Sequence, residues 1–178
     1  MIMEATQTET QKGTLSFSGV IISRYVDPKT GEYIPGSEQV DHNMVVDIGA
    51  IEIVKWLANA TPGTAGSFKY MALGGTGTAA AHGQTALISE FTGTGTYVRI
   101  AGTQTAINEV LYPANGAKCY QVVATFPAST GLTSVAEYGL FDQLAAGGKM
   151  LIRAVFSPVR DNANNALEVT YQLTVAPQ

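Results

Sequence analysis

Between Leu167 and Val175 the chain alternates strictly: Leu167, Val169, Tyr171, Leu173 and Val175 fall on one side, Glu168, Thr170, Gln172 and Thr174 on the other. Successive side chains of a strand point to opposite faces, so this period predicts a strand with one face in a core and a polar face toward solvent or a wet interface. Tyr97–Ala101, Ala106–Tyr112, Lys118–Phe126, Ala136–Phe141 and Met150–Phe156 are likewise short, rich in β-branched and aromatic residues, and separated by turn formers. Six strands at this spacing predict an antiparallel β-sandwich or a jelly-roll-like relative of it. Phe68–Leu73 predicts another strand, stopping at the GGTGT run 74–78, after which Thr85–Glu90 is expected as a helical turn.

The first third reads differently. Gly13–Val26 has strand composition, and Asp27-Pro28-Lys29-Thr30-Gly31 predicts a turn, since Pro presets φ and Gly accepts a positive one; the chain then returns through Glu32–Ile34 as a hairpin. Gln39–Val46 leads to Asp47, a good N-cap, after which Ile48, Ile51, Val54 and Leu57 recur at helical spacing with Glu52 and Lys55 between them. One short helix over about 48–58 is expected, ended by Asn59 and the TPGTAG run. The expected organisation is mainly β: an extended N-terminal arm or hairpin over 1–46 and a single β-rich domain over 47–178. The segment GTLSFSGVIISRYV is too apolar to stay solvated, so it is expected to pair with a sheet edge through main-chain hydrogen bonds, working mainly between subunits, with a strand of its own core as the alternative. Leu15, Phe17, Val20, Ile22 and Tyr25 are its candidate interface residues.

Charge narrows the choice of partners. Ten Lys and Arg face 14 Asp and Glu in 178 residues, a net charge of −4, so there is no positive excess to neutralise phosphates and nucleic acid is not expected. Charged residues are 13% of the chain against a usual ~25%, and Gly, Thr, Ala and Asn take their place. The polar start, Met1–Lys12, lacks the apolar core of a secretory signal, so the chain is expected to stay in the cytoplasm where it is made. Ile48–Ala58 is interrupted by Glu52 and Lys55 and falls short of the ~20 apolar residues that span a bilayer, so no membrane segment is expected. Cys119 is the single cysteine and cannot form an internal disulfide.

Candidate chemistry is sparse. Gly75-Thr-Gly77-Thr-Ala-Ala80 fits a loose dinucleotide-binding pattern, but such a turn must open a helix that holds the pyrophosphate, and His82 and Gly83 follow too soon; no cofactor is expected. His42 and His82 have no metal-ligand spacing, and Cys119 has no local base, so neither a metal site nor a nucleophile is expected. Glu90, Glu109 and Glu137 offer no acid–base pair; Glu137, among the apolar residues of VAEYGLFD, reads as a half-buried, hydrogen-bonded carboxylate that fixes a strand. Arg24, Arg99 and Arg160 belong to no motif. Arg153 lies inside the apolar run MLIRAVF, a position that suits either an internal salt bridge or a contact surface, and it joins the candidate interface.

Taken in order, several segments resemble small structural proteins of tailed-bacteriophage virions: Asn43–Gly49 (NMVVDIG), Tyr70–Thr78 (YMALGGTGT), Thr85–Glu90 (TALISE), Ala136–Asp142 (AEYGLFD), Met150–Val159 (MLIRAVFSPV) and the alternating terminal strand. The doubled Gly74-Gly75 departs from the single glycine of that pattern. The resemblance implies a non-enzymatic, β-rich protein present in many copies on the virion, as a capsid decoration (cement) protein or a tail, baseplate or fibre component. Its implied partners are itself, as a dimer or trimer, and the major capsid protein, or alternatively tail or baseplate proteins. The chain has neither heptads nor a repetitive stem, which favours the capsid surface over a fibre. A reading from another class is a carbohydrate-binding module, with Trp56, Tyr70, Tyr97, Tyr112, Tyr120, Tyr138 and Tyr171 as stacking aromatics.

Overall fold

The computed structural model describes residues 15–57, 68–92, 99–107, 118–128, 134–145, 147–160 and 164–177. In chain order the elements are β1 (Leu15–Val26), β2 (Gln39–His42), β3 (Met44–Val45), α1 (Asp47–Leu57), β4 (Tyr70–Gly74), β5 (Ile100–Ala101), β6 (Thr103–Ile107), β7 (Lys118–Phe126), β8 (Val135–Phe141), β9 (Met150–Arg160) and β10 (Ala166–Pro177). They form two five-stranded sheets, β2-β1-β10-β7-β6 and β3-β9-β8-β4-β5, in which every pairing is antiparallel. Among the described residues the architecture is a mainly β sandwich with one short helix.

Both lateral edges are closed by a segment that changes sheet. His42 pairs with Val20 in the first sheet and Met44 with Arg153 in the second, so the chain crosses at Asn43. On the far side Ala101 pairs with Tyr70 and Thr103 with Val123, so the crossing is at Gly102. The Gly102 N–H reaches the Lys69 carbonyl of the second sheet at 2.8 Å. A Cβ there would lie 2.5 Å from Val122 Cγ1 and 2.9 Å from the Val123 carbonyl oxygen of the first, so only glycine passes the corner. Sheet-switching corners of this kind leave few long unpaired edges, which limits edge-to-edge aggregation.

Alternation fills the space between the sheets. Ile21, Tyr171 and Val122 share one row of the first sheet, and Met71, Leu140 and Ile152 share one of the second; all belong to a single buried cluster with Phe126, Leu167, Val169, Leu173, Leu73, Tyr138 and Phe156. The terminal strand is central in its sheet, flanked by β1 and β7, and Thr170, Gln172 and Thr174 on its polar face are buried rather than solvated. Gln172 is met sideways on one atom, its Nε2 donating to Gln121 Oε1 at 2.8 Å on the neighbouring strand, while its own Oε1 is buried with no partner among the described residues.

Residues 15–46 do not form an arm apart from the domain. β1 pairs with β10 of its own chain along all 12 of its residues, and Ile21 is fully buried in the core. The expected boundary at 47 therefore cuts through one sheet. Residues 1–14 lie outside the described residues. The turn at 27–31 forms as the sequence predicts, with Gly31 at φ 73° and the Lys29 N–H on Asp27 Oδ1 at 2.8 Å. The helix starts at Asp47, with Ala50 N–H on the Val46 carbonyl at 3.0 Å.

Candidate docking layer over the second sheet

The outward face of the second sheet is built from three rows: Gly74, Glu137 and Val155; Ala72, Gly139 and Arg153; Tyr70, Phe141 and Met150. Small residues open a trough across it. Leu87 fills the trough, forming a second buried cluster with Val46, Ala72, Phe141 and Met150. A Cβ on Gly139 would meet Leu87 Cδ2 at 2.9 Å, and one on Gly74 would meet Glu137 Oε1 at 2.5 Å and the Ser89 carbonyl at 2.6 Å. Leu87 belongs to the irregular stretch 75–91, which is stitched back to β4 by Gly75 N–H on the Ser89 carbonyl and Phe91 N–H on the Leu73 carbonyl, both at 3.0 Å.

Two arginine–glutamate pairs fix this loop. Glu137 and Arg153 are diagonal neighbours on adjacent strands, a spacing that long side chains span. Arg153 Nε and Nη2 each lie 2.7 Å from Glu137 Oε2, and both side chains are 0% exposed. The carboxylate also accepts the N–H groups of Ser89 (2.6 Å) and Ile88 (3.2 Å), while the guanidinium donates to the Thr78 carbonyl (2.8 Å) and Gln84 Oε1 (3.3 Å). Burying both charges carries a desolvation cost of several kcal/mol per ion, offset only because almost every donor and acceptor is met. The partners beyond the pair all lie in the loop, so its conformation and the pair depend on each other.

The second pair lies beside the first. Arg99 binds Glu90 in bidentate fashion, Nε to Oε1 at 2.7 Å and Nη2 to Oε2 at 3.0 Å, and its Nη1 donates to the carbonyls of Gln143 (3.1 Å) and Ala145 (3.0 Å). Its guanidinium stacks 3.5 Å from the centroid of the Phe141 ring. The loop is thereby joined to the turn after β8, and the Asp47 N–H on the His82 carbonyl (3.0 Å) joins it to α1. Loop and turn thus cover the sheet together, and α1 borders them, Ile48 packing on the outer cluster and Ile53 on the main core. Among the described side chains, loop, turn and helix each expose a large aliphatic residue: Ile88 at 51%, Leu144 at 53% and Ile51 at 52%. Gly75–Ser89 contains no Asp, Glu, Lys or Arg.

The sequence-derived candidates scatter. Arg153 serves the internal salt bridge and is not a surface contact, and Glu137, expected half-buried, is wholly buried. Ile22 is buried, Val20 is half-buried beside His42 and Gln172, and Tyr25 is half-buried against the main core. Leu15 and Phe17 stand opposite Pro177 and Val175 of the same chain. These five residues belong to a strand whose partner is internal. Thr85–Glu90 is not a helical turn: its N–H groups at 88 and 89 go to Glu137, and Glu90 bridges to Gly74. Among the suggested stacking aromatics, Tyr138 and Tyr171 are fully buried, and the Tyr120 hydroxyl donates to the Phe68 carbonyl. Tyr97, Tyr112 and Glu109 lie outside the described residues. Sequence reasoning missed the Arg99–Glu90 pair and the layer itself. The signal available was the run of small residues at Ala72, Gly74 and Gly139, all on one face. No family model matches the chain, and neither a curated protein nor a solved structure matches it.

Proposed function

We propose that this chain is a structural protein of a tailed-phage virion, and specifically a decoration protein that seats on the capsid and stabilises it. The observation that carries this reading is the use made of charge: two arginine–glutamate pairs, one wholly buried and one part-buried, hold a surface layer in one shape. A protein that works by contact benefits from such a layer, because a surface ordered in advance loses less conformational entropy on binding. The ordered resemblance of segments from Asn43 to the terminal strand supplies the setting, and the closed edges suit a protein packed at high copy number. Many simultaneous weak contacts then add up through effective concentration.

The test is fractionation. The tagged full-length chain is followed through heads, tails and free protein in a gradient of the phage whose genome encodes it. Co-sedimentation with heads, with greater heat resistance of heads that carry it, supports the reading. Presence in tails alone overturns the capsid assignment in favour of a tail or baseplate role, and absence from every particle overturns the virion assignment.

A further inference from the structure

We draw no further inference here: the strongest candidate, the outward face of the first sheet, where Ile22, Thr170 and Gln172 are buried, carries none because nothing in the structure shows what covers it.

Discussion

The two sheets of this sandwich turn very different outer faces to their surroundings. On the first sheet the central strand carries Thr170, Gln172 and Thr174 outward, and the Gln172 amide N–H is met sideways by Gln121, while its Oε1 is buried with no partner among the described residues. On the second the central strand carries Glu137 and Gly139 outward, and its polar group is met from above by a loop. A neutral amide needs only a neighbour in its own sheet. A buried carboxylate needs a cation and several donors, and here they come from elements far apart in sequence. The first face thus meets its amide N–H within the sheet and leaves one neutral oxygen unmet, whereas the charged second face is complete only when another layer is folded onto it. The same difference separates the ion pairs: Arg153–Glu137 is closed from solvent, while Arg24–Glu38 spans 3.7 Å at the surface with its side chains 25% and 51% exposed.

The largest effect should follow from breaking the buried pair. Glu137→Gln retains an acceptor for one of the two loop N–H groups, sets an NH2 donor against the other site, and leaves Arg153 buried without a counter-charge, a change worth about 3–5 kcal/mol. Urea denaturation should report that loss. Proteolysis of the folded protein should report a second one, a new cleavage site within 75–91, which the loss of a mere internal contact would not create. A variant that loses stability with no change in loop protection would break the comparison, because the pair would then serve the sheet and not its cover.

Next in size is the terminal strand. Leu173 faces the core, so Leu173→Ala should cost about 2–5 kcal/mol. Gln172, one residue earlier, would be inconsequential if its face met solvent. It is 1% exposed and hydrogen-bonded, so Gln172→Ala should instead cost about 1–3 kcal/mol by stranding the Gln121 amide. Paired denaturation curves decide this, and a cost near zero for Gln172→Ala would show that the first sheet's outer face tolerates change as a solvated face does.

How much of this was legible depends on the range over which each feature is determined. Strand identity is local, and Lys118–Phe126, the alternation of 167–175 and the turn at 27–31 are all read from neighbours in sequence. Where a strand sits is not local. The period of β10 is that of an amphipathic strand, yet pairing with β1 on one side and β7 on the other makes it central and buries its polar face. β1 is apolar enough to need a partner, and the sequence is silent on whether that partner is β10 of the same chain. The candidate layer was harder still. Loop 75–91 has no periodicity, being fixed by a carboxylate 48 and 49 residues downstream of the N–H groups it accepts. Glu137 was readable as a bonded carboxylate, and Arg153 as one of two alternatives, but not Thr78, Gln84 or Ser89 as their ligands.

A smaller effect at neutral pH tests whether the two sheets share one interior. Tyr138 from the second sheet is fully buried, and among the described residues its hydroxyl has no hydrogen-bond partner. Burial, reinforced by the nearby Tyr171 and Tyr120, holds its pKa well above the ordinary value. The unfolded chain ionises near pH ~10 while the folded one stays protonated, so the stabilising contribution is fully present below that pH and is lost as pH rises, by up to about 1.4 kcal/mol per pH unit. Tyr138→Phe should be neutral or slightly stabilising at pH 7 and should flatten the decline above pH ~10 by one proton. An unchanged slope would mean that Tyr138 already ionises in the folded protein.

The smallest effect belongs to the exposed rim. Arg24 lies 4.4 Å over the ring of Tyr33, whose hydroxyl donates to Glu168 Oε1 at 2.9 Å, so Glu38 is one of several groups around that guanidinium. Water screens the pair and the remaining contacts hold the arginine, so Glu38→Gln should cost less than about 1 kcal/mol, and that little should vanish in molar salt. The buried pair should keep its effect in the same salt, since counter-ions do not reach it. If instead Glu38→Gln and Glu137→Gln cost the same, or both effects disappear with salt, then burial is not what separates the two regions, and the loop must be held by its Leu87 contact and main-chain bonds rather than by charge.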